Sequence, residues 1–356
     1  MSFVHIAEHV LFCNMKINSI CVVRLSALGD VLMFVPLIRT LQHHFPQASI
    51  TWIISKPAYD MVEGMNDVEF VVIDKPQNFS DYWQFKQKLK HRYFDILLAT
   101  QASFRTNLLY ACIRAKRKIG YDNLRANDGH RWFVHEQIEP GQDHTLEGFL
   151  KFARHLGVQN PNIQWNLPIH TQHITWARQH LPQTSGPIII INPAASKPER
   201  SWLVSRYIEI INYLQTKWQA TIILTGGPNT HDYELGTAIT QACDVYNLIG
   251  KTQPKQLLAL ISLSHLVICP DTGPSHMAAA VNTPVIALHA VTGSNISGPY
   301  TFKHLSIDYH PTAMLLKYPN VTNTWGVLVH GNDIMSLIPT SAVIERLEQF
   351  FVRIKM

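Results

Sequence analysis

Short apolar runs of strand length recur along the chain, separated by stretches in which apolar residues return every three or four positions. In the first half, 20–23, 49–54, 69–73 and 95–99 read as strands, and 31–45 and 80–91 carry the helical period. Nearly continuous apolar strands alternating with helices predict a parallel sheet covered on both faces. The pattern is interrupted over 160–186, where Pro161, Pro168 and Pro182 fall, with Pro187 just beyond. It then restarts, with strands at 187–191, 220–224, 266–269 and 285–288 and helices at 202–218, 254–263 and 275–281. The expectation is an α/β protein of two tandem domains with functional loops at the strand ends and a ligand cleft between them. The domains are expected at 17–170 and 187–340, with 1–16 an extension and 171–186 a linker. A terminal helix at 341–352 shows an apolar stripe (Val343, Ile344, Leu347, Phe350, Phe351) that could dock on either domain.

Length supports the two-domain reading, since 356 residues exceed what one core usually holds. With 46% apolar and 15% charged residues, the chain has the composition of a folded protein. It contains no uncharged apolar stretch long enough to span a bilayer, and Glu8 and His9 spoil a signal-peptide reading. Five scattered cysteines without a C-x-x-C pair predict reduced thiols in the cytoplasm rather than disulfides or a zinc site. His5 and His9 are four apart but lack the glutamate of H-E-x-x-H, so no metal site is expected. The charge of +5 is unevenly spread: 75–131 holds twelve Lys/Arg against four Asp. A basic face on the first domain implies an anionic partner.

Four loops could carry chemistry. Arg24-Leu25-Ser26-Ala27-Leu28-Gly29-Asp30 follows the first strand. Its single glycine excludes the three-glycine dinucleotide fingerprint, which disfavours a nicotinamide oxidoreductase. Asp30 is either a helix N-cap or a base projecting into the cleft. Asn192–Trp202 brings Ser196, Lys197 and Arg200 to a helix start, which suits an anion or is simply a solvated Lys/Glu/Arg cluster. Gly226 and Gly227 open a Gly-Gly-Pro turn that permits close approach of a ligand or is only a turn. The strongest signal is Asp271-Thr272-Gly273-Pro274-Ser275-His276, where a strand ends and a helix of small residues opens, favouring a diphosphate. There, Thr272 or Ser275 could act as a cap. Val291-Thr292-Gly293-Ser294 supplies a further loop.

These elements, in this order, resemble the ADP-heptose:lipopolysaccharide heptosyltransferases (glycosyltransferase family 9), from about residue 17 to the terminal helix. The resemblance implies a GT-B architecture, with two Rossmann-like domains facing across a cleft. It also implies an inverting, metal-independent transfer without a cofactor, at the cytoplasmic membrane face of a Gram-negative bacterium. By position, Asp30 is similar to the family's general base, and Ser196 and Arg200 fall where the donor diphosphate is contacted. Asp271 aligns with the acid that holds sugar hydroxyls, while Thr272, Gly273 and His276 line the donor site. Arg200 stands where lysine is common, and Thr230 where an acid often binds the ribose. Residues 100–107 and 118–131 most resemble heptosyltransferase I, which adds the first heptose to Kdo.

The expected reaction is transfer from ADP-L-glycero-D-manno-heptose to Kdo of lipid A in the lipopolysaccharide inner core. Donor contacts would come from Ser196, Lys197, Arg200, Gly226, Gly227, Asp271, Thr272, Gly273, Ser275 and His276. Acceptor contacts would come from Arg105, Lys118, Arg125 and Arg131. The alternatives are a later-core transferase, a GT-B enzyme using another nucleotide sugar, and an RNA or other anion binder. The Asp30/Asp271 pair argues against the binder, as does the lack of an aromatic-rich RNA signature, so no nucleic-acid partner is expected.

Overall fold

A computed structural model describes residues 16–354, with side chains through Val352. Cys13, His5 and His9 lie outside the described residues. The chain divides into two compact units, with the boundary between Pro168 and Ile169.

The first unit contains strands β1 (Ser19–Val23), β2 (Ser49–Ser55), β3 (Glu69–Ile73), β4 (Phe94–Ala99), β5 (Ala115–Gly120) and β6 (Glu136–Gln137). They form one parallel sheet in the order β3-β2-β1-β4-β5-β6. Its helices are α1 (Leu28–His44), α2 (Lys56–Val62), α3 (Phe79–Lys88), α4 (Phe104–Cys112) and α5 (Thr145–His155). Ile20 to Val23 are fully buried, which is why β1 reads as an unbroken apolar run. α1 covers the sheet with Val31 to Ile38, and Phe34 meets Phe149 of α5 edge-on at 5.2 Å. Strand β5, Ala-Lys-Arg-Lys-Ile-Gly, escapes the sequence pattern because three consecutive cations mask it. Its Arg117 is neutralised by Glu136 on the neighbouring β6.

The second unit repeats this topology. Strands β7 (Ile188–Ile191), β8 (Thr221–Leu224), β9 (Tyr246–Asn247), β10 (Leu266–Pro270), β11 (Val285–His289) and β12 (Ile307–Asp308) lie in the order β12-β11-β10-β7-β8-β9. Numbered from β7, that is again the 3-2-1-4-5-6 order of a doubly wound nucleotide-binding sheet. The helices are α6 (Thr171–His180), α7 (Val204–Trp218), α8 (Thr230–Thr240), α9 (Pro254–Ser262), α10 (Gly273–Ala280), α11 (Ser294–Ser297), α12 (His310–Lys317) and α13 (Thr340–Ile354).

Two expectations change here. The 171–186 stretch is not an irregular linker along its length: α6 occupies 171–180 and packs against α9 with Ala177 fully buried. Residues before it belong to the first unit, because Trp165 Nε1 donates to Leu32 O (2.8 Å) and Arg39 Nη2 to Asn166 O (2.7 Å). The terminal helix, left open in the sequence, docks within the second unit. Val343, Leu347, Phe350 and Phe351 join its core, and Phe351 stacks on Trp218 at 4.3 Å. Burying four such side chains is worth about 1.5–3 kcal/mol each before ordering costs, enough to hold a terminal helix.

Candidate functional site

Doubly wound sheets bind ligands outside the carboxyl ends of the strands, where the strand order reverses. In the first unit that point lies between β1 and β4. The backbone leaving β1 is pinned from both sides. Arg24 N donates to Ile53 O (3.1 Å) and Leu25 N to the Gln101 side chain (2.8 Å). Trp52 Nε1 donates to Arg24 O (3.2 Å), and Ser55 Oγ donates to Leu25 O. The Arg24 side chain is buried, with Nη1 donating to Thr100 O (2.9 Å) and the guanidinium 5.0 Å from the Phe149 ring centre. Its Nη2 forms an ion pair with Asp30 Oδ2. Burial pulls the Arg24 pKa down, but Asp30 and the nearby tyrosines outweigh it and the net displacement is upward.

Asp30 is not the N-cap. Ala27 holds that position, and Asp30 is the third residue of α1, reaching back so that Oδ2 accepts from Ala27 N (3.2 Å). This is half of a capping box, and it turns the carboxylate toward the loop. Among the described residues Oδ1 takes no hydrogen bond, and the side chain is 34% exposed. A carboxylate anchored through one oxygen and open at the other can accept a proton.

In the second unit the switch point lies between β7 and β10. Arg200, from the loop after β7, and Asp271, from the loop after β10, meet across it with Nη1 3.8 Å from Oδ2. Asp271 Oδ2 also accepts from Thr292 Oγ1 (2.6 Å) and Ser297 Oγ (3.2 Å). Burial pushes the Asp271 pKa up, but His289, the Thr292 hydroxyl, His276 and Arg200 more than reverse this and hold it below the usual carboxylate range. Asp271 is therefore a fixed anion, suited to accepting hydroxyl hydrogen bonds rather than a proton. Among the described residues, Arg200 Nε and both ring nitrogens of the buried His289 have no hydrogen-bond partner. Unsatisfied buried polar groups at the end of the sheet are what a bound ligand would satisfy.

The remaining donor residues divide. Ser196 and Lys197 are exposed on the loop after β7, just before a 3-10 turn at Pro198–Arg200. Thr272 is the N-cap of α10 without a side-chain capping bond, Gly273 opens the helix, and His276 is buried beside Asp271. Ser275 is spent on the fold: its hydroxyl (2.7 Å) and amide (3.0 Å) both donate to Thr272 O, and the residue is fully buried. The diglycine also has a local cause. Gly227 N donates to Asp232 Oδ1 (2.6 Å), and a Cβ on Gly226 would lie 2.5 Å from that oxygen. Glycine is needed there to admit the Asp232 carboxylate, and the Gly227 amide is already engaged. Asp232, missed in the sequence, was legible as the third helical position after Asn229, whose side chain caps α8.

Part of the basic face of the first unit is paired. Arg92 binds Glu69, Arg117 binds Glu136, and Arg125 binds Asp122 (2.9 Å) and Asp143 (3.6 Å). Glu69, Glu136 and Asp143 lie outside the 75–131 window, so the counted excess overstates the field. Burial raises the Glu136 pKa, but bonds from Arg117 and His155 overcome this and pull it to about 2. Lys118 is half-buried, its Nζ donating to Tyr110 O (2.7 Å), and burial lowers its pKa. Lys118 and Arg125 are thus tied into the fold by these contacts, while Arg105 and Arg131 are exposed.

A family model for glycosyltransferase family 9 (heptosyltransferase) matches residues 82–314. The chain belongs to glycosyltransferase family 9. Its sequence is 31% identical over 337 residues to the lipopolysaccharide core heptosyltransferase OpsX of Haemophilus influenzae, covering 93% of this chain and 96% of that protein. It is 25% identical to lipopolysaccharide heptosyltransferase 3 of Escherichia coli K12, covering 77% and 83%. Among solved structures, a family 9 glycosyl transferase from Veillonella parvula superposes with a TM-score of 0.79 at 20% identity, covering 95% and 99%. The fold is thus GT-B and the protein is a glycosyltransferase. Among its described residues, no group of three or more His, Cys, Asp or Glu side chains stands together as a metal site, and no helix is long and apolar enough to cross a membrane.

Proposed function

We propose that this glycosyltransferase moves heptose from ADP-L-glycero-D-manno-heptose to a Kdo hydroxyl of lipid A in lipopolysaccharide core synthesis. The observation that carries the donor half is the Arg200–Asp271 pair at the second switch point, with a buried Arg200 Nε left for an anion. Arg200, Lys197 and Ser196 meet the diphosphate, and Asp271 receives sugar hydroxyls. Asp30 Oδ1 takes the acceptor proton as the acceptor oxygen attacks the anomeric carbon and ADP leaves from the opposite face, inverting it. Charge growing on the departing diphosphate is stabilised by cations and helix-start amides without a metal. The first-heptose assignment rests on residues 100–107 and 118–131. The place of action is the inner face of the cytoplasmic membrane, with the protein peripheral to it.

The test is incubation of the purified protein with ADP-heptose or UDP-sugars and defined Kdo-lipid A acceptors, with products read by mass spectrometry after exhaustive chelation. Addition of one heptose from ADP-heptose alone is expected, at an unchanged rate in EDTA. A UDP-sugar product would overturn the donor. Product only on heptosylated acceptors would place the enzyme later in the core. A rate restored only by added Mg²⁺ would overturn the metal-free mechanism.

A further inference from the structure

Every exposed Phe or Trp among the described residues lies in the first unit, on three elements joined to one another. They are Phe79 (90% exposed) and Trp83 (62%) on α3, Phe104 (64%) at the start of α4, and Trp132 (78%) in the connection from β5 to β6. Phe79 and Trp83 are four residues apart and share a helix face. Tyr82 Oη donates to Arg105 O (3.0 Å), joining α3 to α4. Phe104 N donates to Asp128 Oδ2 (2.9 Å) and Asn107 Nδ2 to Asn127 O (3.1 Å), joining α4 to the connection that carries Trp132. The starts of α3 and α4 and the β5–β6 connection all follow parallel strands, so they lie at the carboxyl edge of the sheet that also carries Asp30.

The charges around these aromatics are arranged unevenly. Lys75, Lys86, Arg105 and Arg131 are exposed and make no ion pair among the described residues. Three acids stand among them: Asp74 beside Lys75 and Asp128 are exposed, and Asp81 is half-buried with Oδ2 accepting from the Gln77 (2.7 Å) and Asn78 (3.2 Å) amides, so the cations outnumber the acids only narrowly. Large aromatics that seat at the headgroup boundary, ringed by cations that attract anionic headgroups, are the two ingredients of peripheral bilayer binding.

We propose that this surface, Phe79, Trp83, Phe104 and Trp132 with their flanking cations, docks the enzyme on an anionic bilayer and so presents its Asp30 edge to a lipid-anchored acceptor. The inference deepens the proposed transfer to lipid A and rests on that reading.

The experiment is co-sedimentation of the full-length protein with vesicles of phosphatidylcholine alone or mixed with phosphatidylglycerol. Wild type should partition onto the anionic vesicles, less so as salt is raised. Replacing Phe79, Phe104 and Trp132 together by serine should cut that partition by about tenfold or more at an unchanged unfolding midpoint. Trp83→Ser alone should give a smaller loss. The triple variant should also lose transfer to vesicle-embedded acceptor while keeping the rate on a water-soluble Kdo acceptor. Equal vesicle binding by wild type and triple variant would overturn the proposal, as would no binding by wild type. Aromatic-dependent self-association without vesicle binding would also overturn it and assign the face to a second copy of the chain. If no acceptor receives heptose yet aromatic-dependent vesicle binding persists, the reaction reading fails and the surface stands.

Discussion

The two units share one strand order and each places an Arg–Asp pair at its switch point, but the pairs are built for opposite tasks. In the first unit Arg24 is the buried partner, fixed by Thr100 O and the Phe149 ring, and Asp30 is the partly open one. In the second, Asp271 is the buried partner, 10% exposed and fixed by two hydroxyls, with Arg200 bringing an unsatisfied Nε. In the proposed reaction, burying the cation and leaving the carboxylate a free oxygen suits Asp30 to accept a proton. Burying the carboxylate as a stabilised anion suits Asp271 to accept hydroxyl hydrogen bonds and leaves Arg200 for phosphate. A common fold thus supports different chemistry through which member of the pair it buries.

The sharpest way to break this comparison is to neutralise the open acid. Asp30→Asn should cut turnover by about 10²-fold or more, because an amide cannot take the acceptor proton. It also strips the counter-charge from buried Arg24, so turnover has to be read beside a thermal melt. Arg24→Met in the Asp30→Asn background should recover stability but no activity. Near-normal turnover in folded Asp30→Asn protein would reduce the carboxylate to a helix-start contact.

Next in size is a stability effect in the first unit. Arg125→Ala should cost about 3 kcal/mol, since it leaves Asp122 buried with its ion-pair partner removed. ADP affinity should stay unchanged. An unaltered melt together with a raised acceptor KM would return Arg125 to the acceptor site.

Arg200→Ala should lower ADP affinity and turnover together, by about tenfold or more, because leaving-group charge grows in the transition state. Arg200→Lys should recover part of the loss, keeping the charge but not the two-pronged geometry. Calorimetry with ADP checks the binding term; unchanged affinity and rate would remove the loop after β7 from the site.

What the sequence could show tracks the range of the interaction. The central strands β1, β7 and β10 were legible because burial on both faces leaves almost nothing but apolar residues. The switch-point loops were legible because Asp271 directly follows such a strand and Asp30 lies in the short Arg24–Asp30 turn after another. Side-chain pairings were not: Lys118 and Arg125 read as part of a basic face because a residue count does not show that Lys118 Nζ turns to Tyr110 O or that Arg125 bridges buried Asp122 and, eighteen residues on, Asp143. Gly226 read as ligand clearance because nothing in a Gly-Gly-Pro string says that a carboxylate from the next helix fills the space. Helix α6 was hidden by flanking prolines, and its polar surface offers little apolar period beyond Ala177. Arg24, quoted within its motif, carried no sign that it would be the buried member of the pair.

The last effect is absent at neutral pH and appears only on acidification. His130, buried under the loop that carries Trp132, accepts from Tyr121 N at Nε2 (3.1 Å), and its Nδ1 lies 2.8 Å from Asn107 Oδ1. An amide N–H can only donate, so Nε2 is unprotonated and Nδ1 carries the proton given to Asn107. Burial lowers the His130 pKa to about 4. The unfolded chain therefore takes up this proton first, and the stability from neutral His130 is complete above the ordinary histidine pKa of about 6.5. It is lost as pH falls from there through about 4. Unfolding free energy measured by denaturant across that window should decline less steeply in His130→Gln, which has no proton to gain. The vesicle-docking face should loosen in parallel, since Asn107 ties α4 to the same loop. Identical slopes for wild type and His130→Gln would show that the first unit's acid sensitivity lies in its ion pairs, with the Glu136 cluster the next group to test.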